Sequence, residues 1–251
     1  MSALAPAGLV QSTSAARSKT FAVAMTVTAI LAFVGFWPTY FGPLLLGTVE
    51  ARFLVHLHAA VMVTWLTLFA AQIYFAISGR IGLHIRFGPW AMAFSAVFLL
   101  LSLALTLDVF GRNIESGQIA LGQRKLFGHL REVVFMGAWF AAGWAYRHKL
   151  ETHKRIMAAA AVMIIYPAIG RMRYFLGEPI PLLTWMIIWP LPIYLLMIHD
   201  FVKKRIVHPV YLYALLTMLA VRLVLPFNSS ETWMSMSSWF VPFFQSSGVG
   251  H

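Results

Sequence analysis

Long apolar runs alternate with short polar stretches along most of the chain, at roughly 21–45, 53–78, 88–110, 127–146, 155–175, 182–200 and 209–226. A helix needs about 20 mostly apolar residues to cross a bilayer. The pattern therefore predicts an all-α integral membrane protein of about seven transmembrane helices. Residues 1–20 read as a polar N-terminal tail and 21–226 as the membrane domain, with no cleavage site that would mark a removed leader. Pro38 and Gly42 interrupt the first run, and Pro190 and Pro192 should bend the sixth by removing backbone donors. After Pro226, Trp233, Trp239, Phe240, Phe243 and Phe244 stand among serines, so 227–251 reads as an interfacial segment.

Composition supports the same class. The chain is 60% hydrophobic and 11% charged, against roughly 25% charged for a soluble domain. There is too little charge to cover a wet surface, so lipid must be the main solvent. The absence of cysteine excludes disulfides and thiolate chemistry. The net charge of +11 does not indicate nucleic acid, because the 19 Lys and Arg are spread over loops and helix ends. That spread is the signature of topology signals and headgroup contacts. With the N-terminus inside, eleven of them fall inside and eight outside, and the dense loops 147–155 and 202–208 are both inside. The expectation is a bacterial inner-membrane protein with a cytoplasmic N-terminus. Small residues on the fourth run (Gly137, Ala141, Ala142, Gly143) and the fifth (Ala158 to Ala161, Ala168, Gly170) would let two helices approach closely.

The chemistry with most content is a repeat of histidines. His58, near the outer end of the second run, is followed 26 residues later by His84-Ile85-Arg86 at the inner start of the third. His129, near the outer end of the fourth, is followed 24 residues later by His153-Lys154-Arg155 at the inner start of the fifth. A crossing uses about 20 residues, so His58 and His129 share one level and His84 and His153 the other. Two imidazoles from different helices of a four-helix core, helices 2–5, suit the two axial positions of a haem iron. His58, Trp65 and Gln72 recur every seven residues and form one stripe, which should face the interior. His56 lies about 200° round the helix from His58 and cannot share that face. His148, His199, His208 and His251 read as interfacial or loop residues.

Other constellations are less complete. His129 and Glu132 share a face, and with Asp108, Glu50 and His56 or His58 they could form a metal centre of nitrogen and oxygen ligands. Glu132 could equally pair with Arg131 or Arg171. Arg52, Arg131, Arg171, Arg173 and Arg222 could clamp propionates, a quinone or lipid, or snorkel to phosphates. His199-Asp200 could relay a proton. Triads, phosphate loops and zinc-protease motifs are absent, and the seventh run lacks the lysine of a retinal pigment.

Two resemblances follow from these residues. The stretch Gly35-Phe-Trp-Pro-Thr-Tyr-Phe41, His56-Leu-His58, Trp65, Gln72, Gly79-Arg80 and Leu83-His84-x-Arg86-x-Gly88 resembles a family of uncharacterised bacterial multi-pass membrane proteins. His153-Lys-Arg-Ile-Met157 and Arg171 extend that likeness over most of the chain, without implying an activity. The order of the four histidines is also similar to that of the two-haem, ascorbate-reducible cytochrome b proteins. That likeness implies His58 paired with His129 and His84 with His153, although His84 and His153 stand at helix starts rather than within helices as in that family.

The sequence thus leads to a b-type haem protein, a membrane oxidoreductase moving electrons to or from a quinone or metal ion. His58 and His129 would hold haem iron, and His84 with His153 a second haem. The alternative is a haem-free, non-catalytic membrane protein, either a small transporter or an assembly or scaffold subunit.

Overall fold

The computed structural model describes residues 7–177 and 180–245, and among these every regular element is helical. Residues 1–6, part of the expected tail, and His251 lie outside the described residues. Helix α1 (Ala7–Phe36) runs into a π-helical turn (Trp37–Phe41) and then α2 (Gly42–Leu45). Pro38 sits in the π turn, where the ladder is already irregular, so the run expected to break at Pro38 and Gly42 stays helical to Leu45. Helices α3 (Phe53–Ile77), α4 (Ile81–Glu115) and α5 (Ile119–Ala145) follow as long rods. Gly79 and Gly117 in the two intervening turns adopt φ of +74°, a conformation that costs glycine nothing. Helix α4 begins at Ile81 rather than near residue 88, so His84 lies inside its first turn.

Next come α6 (Leu150–Ile164), α7 (Tyr166–Arg171) and α8 (Arg173–Leu176), then α9 (Leu182–Ile188) and α10 (Leu191–Lys204). The axes of α9 and α10 differ by 57° across Trp189-Pro190, the bend the prolines foretell. Helix α11 (Pro209–Leu223) leads into a 3-10 turn (Leu225–Ser229) and two short helices, α12 (Glu231–Ser238) and α13 (Val241–Gln245). The last two dock on the bundle: Trp233 donates to the Gln123 carbonyl at 2.8 Å, and Phe244 stacks edge-on against Phe110 at 5.1 Å.

Among the described residues four helices are long and apolar enough to cross a membrane, Lys19–Leu45, Phe53–Ile77, Ile81–Glu115 and Pro209–Ser229, or five if the bent α9–α10 pair makes one crossing. Their outer faces carry exposed Val63, Leu100, Leu212 and Leu216, a surface for which lipid is the natural solvent. Helix α5 is diluted by His129, Arg131 and Glu132, and α6 ends after 15 residues.

Helix α6 compensates by burial. Every residue from Ala158 to Ile165 is buried, with α1, α5, α10 and α11 packed around it. A helix apolar on all sides belongs at the centre of a bundle. Its alanines permit that close approach, and Gly35 lets α1 lie directly against the Ala168 backbone of α7. Elsewhere Trp65 of α3 donates to Ser95 of α4 at 2.7 Å and packs on Phe140 of α5 at 5.5 Å.

Polar ties mark the two ends. Lys204 and Lys154 both reach Glu151, at 2.9 and 2.6 Å, which gathers the turns around 150 and 205 with the α3–α4 turn beside His84. At the opposite end Arg131 donates to the Val221 carbonyl at 2.8 Å and Arg222 lies 3.5 Å from the Tyr166 hydroxyl.

Candidate functional site

His84 and His153 occupy equivalent places in two successive helical hairpins. The turn at 78–80 folds α4 back along α3, so His84 comes to rest beside the last turns of α3. There its Nδ1 lies 3.2 Å from the Gln72 carbonyl oxygen. The turn at 146–149 does the same for α6 and α5, and His153 Nδ1 lies 2.9 Å from the Gly143 carbonyl. A carbonyl can only accept, so in each ring Nδ1 carries the proton, and Nε2 is the nitrogen that holds the lone pair in the neutral form. This is the outer support that fixes tautomer and orientation in imidazoles that bind metals.

The two rings meet. Their centroids are 6.3 Å apart and their planes are inclined at 74°. A single metal ion bound by one nitrogen of each ring, at about 2 Å per bond, sets ring centres roughly 6 Å apart. Arg155 is two residues from His153 and so about 200° round the helix. It turns away from the pair, into α10 and α11. No group of three or more His, Cys, Asp or Glu side chains is gathered to hold a metal ion among the described residues. Two imidazoles at this separation match the ligand set of a centre that takes only two protein ligands, and haem, whose macrocycle supplies four more, is one such group.

The other histidine pair is arranged differently. His58 packs its ring on Phe98 at 5.6 Å, and its Nδ1 is buried without a hydrogen-bond partner. His129 lines an open cavity of about 340 Å³ beside Glu132. Among the described residues no ring contact or hydrogen bond joins His58 to His129. Trp65 in the same stripe is 3% exposed, and Gln72 is half-buried with its side-chain oxygen unpartnered. His56, on the other face, bonds through Nδ1 to the Tyr40 hydroxyl at 3.0 Å.

Of the carboxylates expected to help His129 hold a metal, Asp108 is committed elsewhere. Asp108 pairs with Arg52 at 2.7 Å and Arg112 at 3.0 Å. Glu132 has Arg131 at 3.5 Å. Three of the arginines lie against aromatic rings: Arg131, 7% exposed, over Tyr166, Arg171 over Phe36 and Arg222 over Trp185.

Sequence reasoning missed one site altogether. Arg155, 1% exposed, donates from Nε and Nη2 to Asp200 of α10, which is 3% exposed. Tyr211 of α11 lies 3.4 Å from the same carboxylate. His199 Nδ1 is 3.7 Å from the other Asp200 oxygen, too far for the bond a relay needs. The signal available was only that a charge within an apolar run requires a partner. Glu151, at the start of α6, loses some solvation by burial. The hydrogen bonds from Lys154, Arg155 and Lys204 outweigh that and hold its carboxyl well below the usual glutamate range.

Set against family models, curated proteins and solved structures, the chain matches none.

Proposed function

We propose that the protein is a b-type haem protein of a bacterial inner membrane, with one haem held between His84 and His153, and that it moves electrons. The observation that carries this reading is the 6.3 Å separation of two rings whose Nδ1 protons are both spent on backbone carbonyls. A bound haem supplies one-electron redox chemistry at its iron. The chain's part is to present two neutral imidazole lone pairs, fix their tautomer through Gln72 and Gly143, and keep the Arg155 charge turned away. The rings sit in the first turns of α4 and α6, near one membrane surface, where an electron donor or acceptor in water or at the interface can approach.

The same reading takes seven crossings, in which helices 2–5 of the sequence pattern (α3, α4, α5 and α6–α7) frame the site and the N-terminus is cytoplasmic. Its support is that the cationic turns at 147–155 and 202–208 share the His84 end, tied through Glu151, as the distribution of Lys and Arg requires.

The test is an absorption spectrum of protein expressed with ample haem, oxidised and then reduced. Sharp reduced-state bands should be lost in His84→Ala and in His153→Ala and kept in His58→Ala. A colourless protein would sink the proposal and leave the haem-free transporter or scaffold reading. Bands lost only in His58→Ala or His129→Ala would move the haem to the other pair.

A further inference from the structure

At the end of the bundle away from His84, a cavity of about 340 Å³ lies between α5, the start of α7 and the 3-10 turn after α11. That volume is at the small end of the range for small-molecule sites, about 300–1,000 Å³. His129 and Glu132 line it from one face of α5, three residues apart.

The hydrogen-bonding capacity of these walls is largely unspent. His129 makes no hydrogen bond to any described residue, and its nitrogens, unlike Nδ1 of His58, are not sealed from the cavity. Glu132 has a single long contact, 3.5 Å to Arg131. The Asn228 side-chain oxygen accepts from Ser229 at 2.9 Å, leaving its amide hydrogens free to donate. Tyr166 offers a ring face, with Leu121 and Leu225 as apolar walls.

Charge narrows the ligand. Arg131 is committed through Nη1 to the Val221 carbonyl and through Nη2 to Glu132, over the Tyr166 ring, while its Nε is buried without a partner. The floor is therefore an ion pair, the other cations that line the cavity, Arg124 and Lys125, are exposed at the rim, and Arg171, outside the lining, donates to the Pro167 carbonyl at 2.9 Å and lies over Phe36. A free anion would meet the Glu132 carboxylate, and a cation would meet the rim. A neutral ring carrying oxygens that both accept and donate meets neither obstacle. His129 and Asn228 can donate to its carbonyl oxygens, and Glu132 can accept from its hydroxyl.

From this we propose that the cavity binds the head group of a membrane-borne quinone or quinol, between His129 and Glu132. The site shares no residue with the histidine pair between α4 and α6, so it stands or falls independently of the haem.

The experiment uses the full chain in lipid nanodiscs, titrated with a short-tailed benzoquinone and followed by quenching of tryptophan fluorescence. Trp185 packs 4.9 Å from Tyr166 and reports on the cavity. A side chain added at Gly128 meets nothing within 4 Å, so Gly128→Leu fills the space without a backbone clash. Saturable quenching is expected, weakened at least tenfold in Gly128→Leu and in His129→Ala and unchanged in Gly82→Ala, whose added methyl group meets nothing within 4 Å. Non-saturating quenching, or equal affinity in wild type and both cavity variants, would overturn the proposal. Displacement of the quinone by inorganic phosphate would reassign the cavity to a free anion, and displacement by phosphatidylglycerol to a lipid head group. Either result also overturns it.

Discussion

Arg155 and Asp200, 45 residues apart in sequence, join the centre of the bundle to the second half of its bent helix through two guanidinium hydrogen bonds to one carboxylate oxygen. Both side chains are almost wholly buried. A buried pair contributes little net stability, but breaking it leaves one charge unsolvated. Arg155→Met, which strands the buried Asp200 carboxylate, should therefore cost about 3–5 kcal/mol, while replacing both residues by apolar ones of similar size should cost far less. Unfolding of the detergent-solubilised protein, with single and double variants side by side, measures the difference. Equal losses in single and double variants would argue against this account.

Glu151 makes a distinct prediction about acid. Its carboxyl is held below the ordinary glutamate value of 4.5, because three cationic hydrogen bonds outweigh the cost of partial burial. Its stabilising effect is then complete above that value and drains away as the pH falls through the folded-state range. Glu151→Gln should lower stability at neutral pH and flatten the decline in acid. Melting curves between roughly pH 3 and 7 test this; parallel curves for variant and wild type would contradict it.

Gly35 has no room for a side chain, since an added Cβ would run into the backbone of Ala168, whereas Gly82 has open space around it. Gly35→Leu should abolish folded protein and Gly35→Ala should reduce it. Gly82→Ala should be close to neutral, within the few tenths to about 1 kcal/mol of glycine–alanine exchange in helices. Yield of monodisperse protein on size exclusion gives the ranking, and Gly35→Leu eluting like wild type would refute the close contact.

Trp65→Phe removes the buried donor to Ser95 while keeping most of the ring packing on Phe69 and Phe140. Ser95 still donates to the Ala91 carbonyl, so its hydroxyl is not stranded. The expected cost is about 1 kcal/mol, the net worth of one neutral hydrogen bond. A double-mutant cycle with Ser95→Ala, read by thermal unfolding, should show coupling of that size; additive losses would show none.

The helical class was legible because apolar runs longer than a soluble helix needs leave few alternatives to a bilayer. The bend at Pro190 was legible because proline's missing donor acts locally. The start of α4 was not: Gly82, His84 and Arg86 lower the apolar signal there, yet the turn at Gly79 lets helix begin at Ile81. The histidine repeat identified four residues of interest by spacing. Spacing fixes depth along a helix but not the direction in which a side chain points. Only packing distinguished a pair whose rings meet from one whose members lie against Phe98 and a cavity.

Sequence alone determined the solvent of this protein, since transfer of apolar residues into lipid depends on local composition summed over one helix. It also fixed the spacing of polar groups along each helix, because the rise per residue is constant. Tertiary structure decided which polar groups became partners: Asp200 for Arg155, Ser95 for Trp65, the Gln72 and Gly143 carbonyls for the two histidines. Those pairings depend on the rotation and contact of helices far apart in the chain. In an apolar interior a polar group must find whichever partner that packing brings within reach.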